Sequence, residues 1–156
     1  MLSSKSRILI VEADAAVRDA CAAAAERMGC SVYSTAYIDD FEIVMAQLLP
    51  CVIVLDLNML GRGGADLLNH MVNTNSEARV LLLAAPSERV VDAARTLVAS
   101  IGLDTIRILK KPGNRLDLET QVQTKITTML RDERPVVNLR PAHSRRRVFS
   151  DRFQGA

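Results

Sequence analysis

The chain has 156 residues, 49% apolar and 24% charged, with a formal net charge of +2. That length holds one domain with a full core, and the composition is ordinary for a soluble globular protein. Its opening segment lacks the apolar core of a signal peptide, and no apolar run approaches the roughly 18 residues of a membrane span. A cytoplasmic protein with no membrane insertion is expected.

Short β-branched runs alternate with alanine-rich helical stretches along the chain. A run at 7–11 leads to Asp14, which can cap a helix near 15–28, and Gly29 suits the left-handed residue that closes it. A second run, 31–34, precedes a helix near 38–48. The third run, 52–56, is the continuous apolar stretch Val52-Ile53-Val54-Leu55 ending in Asp56. The loop Gly61-Arg62-Gly63-Gly64 follows; without a Lys-Ser/Thr ending it is not a phosphate loop. A helix near 65–73 comes next, carrying His70 on its surface. The fourth run, 79–84, contains Val80-Leu81-Leu82-Leu83, and Ser87 can cap the helix at 87–101 that Gly102 closes. The fifth run, 105–109, precedes a helix at 116–131 with Leu116, Val122, Ile126, Met129 and Leu130 as its inward stripe. Pro135 and Pro141 keep that helix from continuing.

Continuous apolar runs are strands buried on both faces, as parallel sheets require. Strand and helix alternating five times predict a doubly wound α/β domain over residues 1–131, with residues 132–156 as a separate extension. Cys21, Cys30 and Cys51 are an odd number without metal-like spacing and read as buried free thiols, which suits a reducing compartment.

In an open parallel sheet, ligands bind beyond the carboxyl ends of the strands. Those ends carry Glu12-Ala13-Asp14, Asp56, Ala84-Ala85 and Lys110-Lys111-Pro112. This arrangement resembles the receiver domain of bacterial response regulators, the CheY-like family. The segments that carry the likeness are 7–12, Val54-Leu55-Asp56-Leu57-Asn58-Met59 and Leu109-Lys110-Lys111-Pro112-Gly113. The resemblance implies a flavodoxin-like five-stranded parallel sheet, strand order 2-1-3-4-5, with helices on both faces. It makes Asp56 the phosphoacceptor and Lys111 its partner. A Mg2+ ion would be held by Glu12, Asp56 and the Asn58 carbonyl.

The pocket departs from that pattern at three positions. The second acid, normally a direct metal ligand, is Ala13; Asp14 next door serves as a helix cap. The hydroxyl expected after the fourth strand is Ala84, and the switch aromatic is Ile108. Magnesium binding is therefore doubtful, and Asp56 reads first as a buried carboxylate paired with Lys111, with phosphorylation as the competing reading.

Residues 131–156 hold seven arginines, no lysine and three acids, whereas residues 1–130 are net acidic. Arginine's planar fork grips guanine O6 and N7 or phosphate oxygens, and an aspartate can accept from guanine's opposite edge. A ligand with two guanines and two phosphates, cyclic di-GMP, would use Arg140, Arg145, Arg146, Arg147, Asp151 and Arg152 together. The whole chain is similar to the Cle group, CheY-like cyclic-di-GMP effectors with an arginine-rich C-terminal extension. That resemblance implies a ligand bound as a stacked dimer and a protein partner such as the flagellar motor switch. Three readings follow: a non-enzymatic cyclic-di-GMP effector, a single-domain phosphorelay regulator using Asp56, and an electrostatic binder of acidic surfaces. The first leads, and nucleic acid is not an expected partner.

Overall fold

The computed structural model describes residues 6–39, 41–62, 64–102 and 105–132. Among them are β1 (Arg7–Val11), α1 (Ala15–Arg27), β2 (Ser31–Thr35), α2 (Phe41–Leu48) and β3 (Val52–Asp56). A 3-10 helix at Leu57–Arg62 then leads into α3 (Gly64–Thr74), where a plain loop was expected. The chain continues through β4 (Arg79–Ala84), α4 (Glu88–Ile101), β5 (Ile106–Lys110) and α5 (Arg115–Arg131). All strands are parallel and run in the order β2-β1-β3-β4-β5, as expected.

The period of two along each strand divides the core into two layers. Leu9, Ile53, Leu55, Val80 and Leu82 face Met45 of α2, Leu67, Leu68 and Met71 of α3, and Ala94 and Ile101 of α4. Ile8, Ile10, Val54, Leu81 and Leu83 face α1 and α5 through Ala20, Cys21, Ala24, Val122 and Ile126. β3 is buried at every position, so its sequence carries no polar alternation. β2 is the opposite case, an edge strand with Tyr33 47% exposed.

The caps have the geometry their residues predict. Asp14 accepts from the N–H groups of Ala16 and Val17, and Ser87 accepts from that of Val90. Gly102 closes α4 at φ 78, a left-handed value that costs residues with a β-carbon free energy. At Gly64 the constraint is space: a β-carbon would lie 2.7 Å from the Met59 carbonyl oxygen, so only glycine lets α3 start against the 3-10 turn.

Three expectations need correction. Leu116 is 71% exposed, and the inward stripe of α5 runs through Leu118, Val122, Ile126 and Met129. Residues two apart on a helix point about 200° away from each other, so Leu116 and Leu118 cannot share a face. Cys51 is half-buried, unlike Cys21 and Cys30, because it precedes β3 at the amino-end rim of the sheet. His70 is half-buried too, its ring meeting Phe41 edge-on with centroids 5.4 Å apart.

Candidate functional site

The strand order alone brings three charged residues to one rim. β1 and β3 are neighbours with Val11 opposite Leu55, so the next residues, Glu12 and Asp56, stand side by side. β5 lies two strands from β3, with Lys110 opposite Ala84. The Lys111 N–H donates to the Ala84 carbonyl at 2.8 Å, which fixes that residue at the rim. From there its ammonium donates to Asp56 Oδ1 at 3.3 Å and lies 3.1 Å from Glu12 Oε1.

Both carboxylates are out of water, Glu12 at 1% and Asp56 at 5% exposure. Asp56 Oδ1 also accepts from the Asn58 N–H at 3.3 Å, and Glu12 Oε2 accepts from the Asp14 N–H at 3.1 Å. Glu12 Oε1 has no well-formed hydrogen bond; its contact with Lys111 is an ion pair outside hydrogen-bond geometry. Burial pushes the Glu12 carboxyl up, and the neighbouring Asp56 charge adds to that, against the Asp14 N–H and Lys111. For Lys111, burial works against the charge, but the bonds and fields of Glu12 and Asp56 outweigh it and hold the ammonium above its ordinary value. Beneath them the Cys21 thiol is pushed up to about 12 by burial, with the Glu12 charge adding to it.

The family pattern implies a divalent ion at this rim, and the donor set lacks one acid of that pattern. Magnesium asks for oxygen ligands in near-octahedral array. Ala13 contributes no side-chain oxygen, and the Asp14 carboxylate is engaged by Ala16 and Val17. The ammonium of Lys111 already lies against both remaining carboxylates. Among the described residues no group of three acidic, histidine or cysteine side chains could hold a metal ion. Glu12, Asp56 and the Asn58 carbonyl would be the protein ligands of such an ion, which would have to displace the Lys111 ammonium and take its remaining ligands from water.

Sequence reasoning expected Asp56 to pair with Lys111, and it does. It missed Glu12 as a second partner of the same lysine. It also missed Arg18, whose Nη1 donates to the carbonyls of Glu12 at 2.8 Å and Ala13 at 3.3 Å, tying down the turn after β1. A lone arginine on a helix gives no sequence signal for that contact. Ala84 is fully buried, and Ile108 packs against the core layer of α2, α3 and α4, so neither offers a polar group to the pocket. Arg140, Arg145, Arg146, Arg147, Asp151 and Arg152 lie outside the described residues. No helix among the described residues is long and apolar enough to cross a membrane.

The comparisons with known proteins agree with the fold. The family described as "Response regulator receiver domain" matches residues 8–123. A response regulator receiver protein from Burkholderia phymatum superposes with a TM-score of 0.60 at 19% identity, covering 80% of this chain and 95% of its own. The chemotaxis response regulator CheY4 of Vibrio cholerae gives 0.60 at 19% identity, over 78% and 98%. A CheY-like receiver domain protein from Methanospirillum hungatei gives 0.57 at 21% identity, over 83% and 99%. No curated protein is similar enough in sequence to count as a match. At these identities the solved structures establish the fold, and the family match over most of the chain establishes descent: the chain belongs to the response regulator receiver family.

Proposed function

We propose that the chain is a non-enzymatic cytoplasmic signalling effector that reads cyclic di-GMP rather than phosphorylation. The receiver domain serves as the scaffold. Arg140, Arg145, Arg146 and Arg147, with Asp151 and Arg152, bind the dinucleotide, as a stacked dimer. The loaded protein then docks on a protein partner such as the flagellar motor switch.

One observation carries the reading: Lys111 spans Glu12 and Asp56 at 3.1 and 3.3 Å, so the cation site of the pocket is already taken by the protein's own ammonium. A phosphoryl transfer to Asp56 would have to displace that arrangement without the acid that Ala13 replaces. It would also find no hydroxyl at Ala84 to report it. The arginine-rich extension supplies planar forks that suit guanine and phosphate together.

Calorimetric titration of the full chain with cyclic di-GMP tests the proposal. Binding is expected in the wild type and loss in the Arg145→Lys/Arg146→Lys/Arg147→Lys variant, because lysine keeps the charge and lacks the fork. Equal affinity in both would leave only electrostatic attraction, which weakens steeply with salt. No binding in either overturns the reading.

The phosphorelay alternative keeps one favourable observation, the Lys111–Asp56 hydrogen bond at 3.3 Å. Incubation with acetyl phosphate and magnesium, followed by intact mass, would revive it through an Asp56-dependent gain of one phosphoryl group.

A further inference from the structure

The opposite rim of the sheet, at the amino ends of the strands, carries a cavity of about 790 Å3. Among the described residues its apolar lining includes Met45, Leu49, Cys51, Ala78 and Met129, beside three carboxylates, Glu42, Glu77 and Asp132, and two guanidinium groups, Arg7 and Arg79. Leu49 is the unusual member. It is 63% exposed at φ 48, a left-handed value unfavourable for any residue with a β-carbon. Its N–H donates to the Met45 carbonyl at 3.0 Å, and its own carbonyl accepts from Arg7 Nε at 3.2 Å, which holds that conformation. An apolar side chain fixed in this way at an apolar cleft calls for a cover.

The chain leaves the domain at the same cleft. Asp132, the residue after α5, is among its lining residues, and Arg79 donates to the Asp132 carbonyl at 2.9 Å. The residues that follow read Arg134-Pro135-Val136-Val137-Asn138-Leu139-Arg140, three apolar side chains between two arginines. The cleft offers an apolar lining and two glutamates, Glu42 and Glu77, while its own arginines are engaged, Arg7 by the Leu49 carbonyl and Arg79 by Asp132. A fully extended chain from Asp132 brings Val136 within roughly 14 Å and Leu139 within roughly 25 Å. The tether holds the segment at an effective concentration of about millimolar, which favours it over a second copy or a free peptide.

We propose that residues 135–139 of this chain occupy the cleft, with Val136, Val137 and Leu139 against its apolar lining and the flanking arginines near Glu42 and Glu77. The docked segment covers Leu49 and Cys51. It also fixes the start of the arginine cluster at the rim opposite Asp56. None of this depends on what the arginines bind.

The native thiol of Cys51 reports on the cover. In the full chain, Val136→Asp/Val137→Asp is expected to speed Cys51 alkylation about tenfold, the protection lost when a weakly docked tethered segment is released. An unchanged rate overturns the proposal. A second measurement identifies the occupant: Val137→Cys in the full chain, under mild oxidation, is expected to form a disulfide with Cys51 within one molecule, in larger yield than Val148→Cys. Linkage between molecules that rises with protein concentration overturns the proposal in favour of a second copy.

Discussion

The Lys111 ammonium lies 3.1 Å from Glu12 Oε1, although β3 and β4 separate their strands in the sheet. One lysine therefore closes the rim across the sheet's centre, holding Glu12 and Asp56 together. Removing it leaves two buried carboxylates with no counter-charge.

Lys111→Met should accordingly destabilise the fold by about 3–5 kcal/mol at neutral pH, the usual loss when one partner of a buried ionic cluster is deleted. The pH dependence is specific. The Lys111 pKa is raised from 10.5, so its stabilisation is complete below that value and is lost as pH rises through the folded one. In the variant, the carboxylates can be relieved only by taking up protons, so the deficit shrinks as pH falls toward the carboxylate range. Urea denaturation at pH 5 and pH 8 checks this. A deficit equal at both values would mean that packing of the lysine stem, rather than charge, dominates.

Ala13→Asp with Ala84→Thr restores the acid and the hydroxyl that this pocket lacks. If the missing acid limits phosphorylation, acetyl phosphate with magnesium should modify Asp56 in the double variant at least about tenfold faster than in the wild type, a change of only ~1.4 kcal/mol in the barrier. Intact mass over time reads the rate. A wild type that is already modified rapidly would show that Lys111 yields to the phosphoryl group and that the pocket is competent as it stands.

Leu118→Ala should cost about 2–4 kcal/mol, because the side chain is 5% exposed between α5 and the sheet. Leu116→Ala should stay within about 0.5 kcal/mol, as surface changes do. Chemical denaturation of the two variants distinguishes the observed face of α5 from the one that the apolar residues first indicate.

That last contrast marks where the sequence runs out. The strands, the parallel sheet and the caps at Asp14 and Ser87 are legible because each rests on local chemistry: continuous apolar runs, a side-chain acceptor, a glycine at a left-handed position. The site is half legible for the same reason, since Glu12, Asp56 and Lys111 each sit at the end of a run. Which of them touch is a matter of side-chain reach across strands, and no spacing encodes it. Along α5 the expected face holds at Val122, Ile126 and Met129, and only Leu116 departs from it, because residues 116 and 118 cannot both face inward and the packing against α1 and the sheet chooses Leu118. The roles of Arg18 and Arg79 rest on contacts to backbone carbonyls, which leave no mark in side-chain pattern.

Glu12→Gln offers the sharpest test of the pocket's electrostatics, because it removes one charge while keeping an oxygen that can accept from the Asp14 N–H. Glu12 has a pKa raised from 4.5, first by burial and then by Asp56. Its contribution therefore favours the fold below about pH 4.5 and is lost as pH rises through the folded value. The variant has no such loss, so its stability relative to the wild type should improve as pH rises from 4 to 8, with Lys111 left to Asp56 alone. The same substitution should lower the Cys21 thiol from about 12, since the Glu12 carboxylate is one of the two causes that raise it. Denaturation midpoints across that pH range read the first effect, and thiolate absorbance between pH 9 and 12 reads the second. A variant that loses stability relative to the wild type toward pH 8 would show that the Glu12–Lys111 ion pair outweighs the burial of the Glu12 charge.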